Sequence, residues 1–208
     1  MDIEINKEEL NDLVDKLYLL TEDYKNLAKE IFKYKAMKVD FIVLSILNRA
    51  MSINEGFRLL FQENNFYSAT HLIRIQMDNL IRYNSILVAK DDNYIDYILD
   101  GKEIRKFRDS ILKKNFNDAY LVEQISKKFP EIKILYKKYC GFIHFSNEHL
   151  ERIKTFPNIE NVKFRVEIGN FENYSHQEKV EIVSDMITFS LFIFNQINYW
   201  TEAKKTIK

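Results

Sequence analysis

A chain of 208 residues with 46% hydrophobic and 14% aromatic side chains carries enough apolar surface for one sizeable core, which excludes wholesale disorder. Its 31 basic and 31 acidic residues cancel, so a general grip on a phosphate backbone is excluded and only a local basic patch has room. Four glycines, two prolines and one cysteine exclude turn-rich sheet folds, an internal disulfide and a cysteine-built zinc centre, and point to long helices.

The chain opens on MDIEINKEEL, acidic and polar and unlike a signal peptide. Leu10, Val14, Leu17, Leu20, Tyr24, Leu27 and Ile31 then recur at three- and four-residue steps, which predicts an amphipathic helix from Lys7 to Tyr34. Asn6 and Glu9 are spaced as its N-cap and capping partner. The apolar stripe is narrow and suits a bundle arm or a dimer seam. Residues 1–37 are read as this N-terminal helix and 38–208 as a helical bundle, together one compact domain.

A second helix is predicted from Lys38 to Glu63, with Ile42, Ile46, Ala50, Ile53 and Phe57 on one side and Asn48, Arg49, Ser52 and Glu55 on the other. Asn64 and Asn65 make a turn, and a third helix follows from Phe66 to Lys90. The third is apolar around most of its circumference, the mark of a central helix. One narrow stripe is the exception: His71, Arg74, Asp78, Arg82 and Ser85. In water, four-residue steps of opposite charge make a ladder along one helix. On a central helix the same charges need partners or must line a pocket. Arg49 and Glu55 of the second helix are the partners within reach, so the two stripes are expected to meet as an internal network or a pocket lining.

A short helix is expected over Asn93 to Leu99, and then the charged connector DGKEIRKFRDS. Arg105, Lys106, Arg108, Lys113 and Lys114, with Phe107 and Phe116 for base stacking, could touch nucleic acid. Glu103 and Asp109 dilute the cluster, and a solvated connector is the reading adopted. Helix resumes over Asp118 to Lys128 and restarts at Pro130. Near 161–171, Val162, Phe164, Val166 and Ile168 alternate with charged residues, predicting a strand or small hairpin within a β appendage at 151–172. Ser175 and Glu178 then have capping-box spacing and open a last helix to Lys204. Its stretch MITFSLFIFNQINYW is interrupted by Thr188, Ser190, Asn195, Gln196 and Asn198, so it reads as a core helix of a soluble, cytoplasmic protein rather than a membrane span. The fold class expected is mainly α, a bundle of about five to seven helices with that small β appendage before the last one.

The densest chemistry lies in KKYCGFIHFSNEHL, residues 137–150. His144 and His149 are five residues apart, not the four that put two ligands on one helical face, and no HExxH is present. No metal and no cofactor are expected. Cys140 and His144 share a helical face, as a nucleophile and its base would. The aromatic setting of Tyr139, Phe142 and Phe145 favours a buried, inert thiol and a buried, hydrogen-bonded His144 over a catalytic pair.

A helical bundle with a histidine late in the chain, within YCGFIHFS, resembles the HEPN superfamily (higher eukaryotes and prokaryotes nucleotide-binding) and related helical proteins of bacterial defence and toxin–antitoxin neighbourhoods. Ribonucleases of that superfamily carry an arginine, then four to six residues, then a histidine, and two such motifs meet across a homodimer. The resemblance implies RNA as partner, metal-independent cleavage, and His144 as acid–base group. An arginine is absent at that spacing, and Lys138 stands there instead as the phosphate-facing cation. The alternatives left open are a non-enzymatic dimeric module that binds a protein partner, and a bundle that encloses a small ligand.

Overall fold

The computed structural model describes residues 7–144, 146–147, 149, 154–155, 165–166, 169 and 174–206. Among them are seven α-helices: α1 (Lys7–Phe32), α2 (Lys38–Gln62), α3 (Phe66–Val88), α4 (Tyr94–Leu99), α5 (Asp118–Ser126), α6 (Glu131–Ile143) and α7 (His176–Lys204). The bundle is therefore mainly helical, as composition and periodicity require. The Asn6 cap expected for α1 lies outside the described residues. So does most of the predicted strand. Among the described residues Arg165–Val166 pairs antiparallel with Lys154–Thr155, and no longer hairpin is seen among them.

The helix boundaries follow from local chemistry. Asn65 accepts from the Ser68 N–H and starts α3, while Asn64 takes φ 58°, a left-handed turn that asparagine tolerates. Ser175 and Glu178 form the capping box that opens α7. Pro130 sits one residue earlier than expected, as the N-cap of α6. At the far end α6 stops at Ile143, and His144 is its C-cap with extended backbone (φ −101°, ψ 141°).

The stripe of α1 is buried against α2 and α7, with Val14, Leu17 and Ile31 each 1% exposed. Each such side chain contributes about 1.5–3 kcal/mol over leaving it in water, so α1 is held by packing rather than by its polar face. α3 is the hub. It packs on α2, α5, α6 and α7, and Ala69, Ile73, Met77, Leu80 and Ile81 are fully buried. α7 is long and apolar enough, by length and composition, to cross a membrane; in this fold its inner face packs against α1 and α3.

Two buried carboxylates tie the outer parts to this hub. Asp40 receives Lys204 Nζ at 2.6 Å, Trp200 Nε1 at 3.2 Å and the Met37 N–H at 2.8 Å. Lys204 also donates to the Ile31 carbonyl at 3.1 Å, so one ion pair joins the end of α1, the start of α2 and the end of α7. Asp109 anchors the connector. It accepts from the N–H groups of Lys90, Asp91, Ile111 and Leu112 at 2.7–3.1 Å and is completely buried. Beside it, Phe107 and Phe116 pack on Tyr94 with ring centroids 4.6 and 5.0 Å away.

That packing corrects the stacking surface considered for the connector. Phe107 and Phe116 are buried, and Arg105 and Lys106 are both paired with Glu103. Apolar rings leave water whenever a pocket is within reach, and here the pocket is formed by Tyr94.

Removing one partner of a buried ion pair leaves an uncompensated charge. Asp40→Ala should therefore lower stability by about 3–5 kcal/mol, read as a shift in the urea midpoint at unchanged slope. For Asp109, burial pushes the carboxyl up, but the four backbone N–H donors outweigh it and hold it below the ordinary aspartate value. A depressed folded-state pKa means that its stabilisation is fully present above the unfolded value of about 4 and is lost as pH falls through the lower folded value. Asp109→Asn should remove this acid-labile part and speed hydrogen exchange at the four anchored amides.

Candidate functional site

The charged stripe of α3 meets partners from three other helices. Asp118, the first residue of α5, accepts from Arg74 Nη2 at 3.0 Å and from Arg82 Nη2 at 2.6 Å. Arg82 also reaches Asp78 at 2.8 Å, one turn away on α3. Asp78 in turn pairs with Arg49 of α2 at 2.8 Å, and Arg49 Nη1 donates to Asn79 Oδ1 at 2.8 Å. From α6, Tyr136 places its ring 4.6 Å from the Arg74 guanidinium carbon and its hydroxyl 3.2 Å from Nη2. Arg74 Nε donates to Cys140 Sγ at 3.4 Å.

These charges are half out of water, with side-chain exposures of 15% for Arg74, 23% for Arg82 and 27% for Asp118. Burial works against both guanidinium charges, yet their partners outweigh it. Cys140 and Tyr136 do so for Arg74, and Asp78 and Asp118 for Arg82, so both pKa values lie above the ordinary arginine value. Burial likewise raises the Tyr136 phenol, in spite of the Arg74 charge beside it. The hydroxyl is thus a hydrogen-bonding group here and not a phenolate.

The network walls a cleft of about 330 Å³, lined by Arg49, Arg74, Asp78, Asp118, Tyr136, Cys140, Ile143 and His144. His144 is exposed at its rim, which overturns the expectation of a buried histidine. The cause is the early end of α6. With the C-cap at His144 the backbone turns extended, so the side chain leaves the inward face it would have held on a longer helix. Cys140 is partly buried and its sulfur faces Arg74 instead of His144.

The structure brings together Arg49, Arg74, Asp78, Arg82 and His144, and leaves three expected members elsewhere. Glu55 pairs with Arg58 on its own helix at 2.7 Å. Lys138 reaches Glu181 at 2.7 Å and Asp185 at 3.2 Å on α7, away from His144. His71 turns back to the Tyr67 carbonyl at 2.8 Å and lies one turn below the cleft, its ring 6.1 Å from that of His149. His149 Nε2 faces the His144 carbonyl at 3.1 Å and its Nδ1 faces the Tyr67 hydroxyl. In the neutral ring the carbonyl requires Nε2 to carry the proton, which leaves Nδ1 as the acceptor. Among the described residues no group of three or more His, Cys, Asp or Glu side chains could hold a metal ion.

Asp118 and Tyr136 escaped the sequence reading. Asp118 stood there only as the start of a helix, and Tyr136 was not singled out at all. Behind the cleft the polar chain continues inward. Asn79 donates to Gln76, Gln76 to Asn54 at 2.9 Å and to Ser190 at 3.0 Å, all fully buried and spanning α2, α3 and α7.

No protein-family model matches this chain, and no curated protein or solved structure was found to be similar to it.

Because one carboxylate serves two arginines, Asp118→Ala should cost about 1–3 kcal/mol by urea denaturation. Arg74→Ala added to that background should cost less than it does alone, since a double-mutant cycle registers the shared bond.

Proposed function

We propose that this chain is a HEPN-like RNA-binding protein of the bacterial cytoplasm, with the cleft between α2, α3, α5 and α6 as its RNA site and phosphodiester cleavage as the reaction that site suits. The observation that carries the reading is the convergence of one exposed histidine and two arginines on the same cleft. Arg49 Nε and Nη2 and Arg74 Nη1 make no hydrogen bond among the described residues, so donors remain for a phosphate oxygen. In this reading Arg74 and Arg49 take the role that the resemblance assigned to Lys138, and their planar forks suit a phosphate better than an ammonium does.

The chemistry needs no metal. His144 takes the proton of a 2′-hydroxyl, whose oxygen attacks the adjacent phosphorus as the bond to the 5′-oxygen breaks; a 2′,3′-cyclic phosphate forms and the departing 5′-oxygen takes its proton from water. The arginine N–H groups stabilise the negative charge that builds on the phosphate oxygens. Asp118 and Asp78 hold the arginines in place, and their charge keeps the cleft from binding every anion equally. A homodimer that sets two clefts side by side belongs to the same proposal, as does a role in a defence or toxin–antitoxin pair.

The test is a binding and cleavage assay on single-stranded RNA at low and moderate salt with nucleic-acid-free protein. Wild type should bind with an affinity that falls as salt rises. His144→Ala should reduce cleavage by about 10²–10⁴-fold with little change in binding, and Arg49→Ala should weaken binding. Absence of RNA binding at low salt, or cleavage unaffected by His144→Ala, would sink the proposal.

A further inference from the structure

Toward the C-terminal end of α3 a groove of about 520 Å³ runs between α3, the end of α5 and α7. From Arg74 to Leu87 the helix advances about 20 Å, and the groove shares no lining residue with the charged cleft. Its size falls in the range of small-molecule sites.

The walls are apolar, largely aromatic and fixed. Phe129, just beyond α5, and Phe192 of α7 meet edge to face with ring centroids 4.4 Å apart. The Tyr83 hydroxyl donates to the Gln196 carbonyl at 3.0 Å, and Trp200 Nε1 donates to Asp40 at 3.2 Å. At the mouth, Leu87 is 56% and Tyr199 79% exposed, apolar surface that remains in water. Walls already held in place reduce the ordering needed on binding, which favours a rigid, flat ligand. Ring edges and faces at this spacing suit an aromatic one.

The sign of charge is set by what the lining leaves over. Lys128 is the one ionic side chain among the described lining residues. It is exposed, its ammonium stands 5.4 Å from the centroid of the Phe129 ring, and it makes no hydrogen bond or ion pair among the described residues. Glu123 and Glu131 lie outside the lining, and Glu202, one residue before the lining Ala203, is paired with Lys205. Two amides add donors. Gln124 Oε1 is taken by Lys127 Nζ at 2.7 Å. Asn84 Nδ2, fixed by the Leu80 carbonyl, donates to Gln196 Oε1 at 2.8 Å. Both glutamines therefore have their oxygens engaged and keep Nε2 unused among the described residues. The carbonyls of Gln124 and Ile125 at the end of α5 are likewise taken, by the N–H groups of Lys127, Lys128 and Phe129. Asn84 Oδ1, the Asn195 amide and the Tyr199 hydroxyl are neutral and carry no sign.

We propose that this groove binds an aromatic carboxylate, its ring among Phe129, Phe192 and Trp200 and its carboxylate on the side of Lys128. An ammonium and two amide N–H groups beside a desolvated apolar wall are matched by a group that only accepts hydrogen bonds and carries negative charge. The site is separate from the RNA cleft and does not depend on it.

The test is isothermal titration calorimetry of nucleic-acid-free protein with naphthalene-2-carboxylate, which should bind saturably at one site. Naphthalene-2-carboxamide, of the same shape and neutral, should bind more weakly. Lys128→Gln, at an exposed position, should weaken carboxylate binding by about two- to fivefold, the range of an exposed charge pair, and leave carboxamide binding unchanged. Ala203→Phe fills the groove from the last turn of α7 and should weaken both ligands more than tenfold; Lys128→Gln keeps the test decisive should that variant fail to fold. The proposal is overturned if carboxylate binding does not saturate, if the carboxamide binds as tightly, or if either folded variant binds the carboxylate like wild type.

Discussion

Charge on the central helix is the constraint around which this fold is arranged. α3 is packed on by four other helices, yet it carries Arg74, Asp78 and Arg82 at one-turn intervals. Leaving any of them unpaired there would cost more than a typical core contact supplies. The solution is to bring carboxylates and lone pairs to them from outside. Asp118 reaches two of the arginines from the first turn of α5, Tyr136 and Cys140 close over Arg74 from α6, and Arg49 neutralises Asp78 from α2. The positions of α5 and α6 against α3 are thus tied to electrostatics as well as to apolar area.

The same pairing gives the cleft its character. Every arginine has a carboxylate partner, and the donors left over point the forks outward without leaving a bare cation inside. Two donors fall short of this rule: Asn54 Nδ2 and Arg82 Nη1 are buried without a hydrogen-bond partner among the described residues. Asn54 lies on the polar chain that runs from Ser190 through Gln76 and Asn79 to Arg49, and Arg82 joins the outer end of that chain through Asp78, so cleft and core share hydrogen bonds. A chain of this kind resists rearrangement, because moving one amide leaves its neighbour unpaired in a low-dielectric interior.

What could be read from the sequence was what repeats along a helix. Three- and four-residue steps located α1, α2 and α3 to within two residues, and Ser175 with Glu178 located the start of α7, because these signals are local. The meeting of Arg49 with the α3 stripe was also legible, since a charged stripe on a buried helix must find a partner. Asp118 was not, because an aspartate at a helix start serves equally well as a dipole partner facing water, and only the packing of α5 decides otherwise. His144 was misplaced by a single feature, the end of α6 at Ile143, and helix ends are where periodicity carries least information. Phe107, Phe116 and Asp109 were misjudged for the opposite reason. Charged neighbours made the connector look solvated, whereas its backbone folds around one buried carboxylate.

The clasp between Asp40 and Lys204 has a consequence for the order in which the fold can be completed. Its partners are 164 residues apart, and the lysine also holds the carbonyl that ends α1. Helices α1 to α3 can form as they emerge during synthesis, but the acceptors at Asp40 and Ile31 stay unmatched until residue 204 follows them. A chain arrested short of that point holds a carboxylate poised for burial with no counter-charge, and its α1 stripe lacks the α7 face that covers it. The bundle therefore closes late, end against end, and a long loop must be gathered before its most buried ion pair can form.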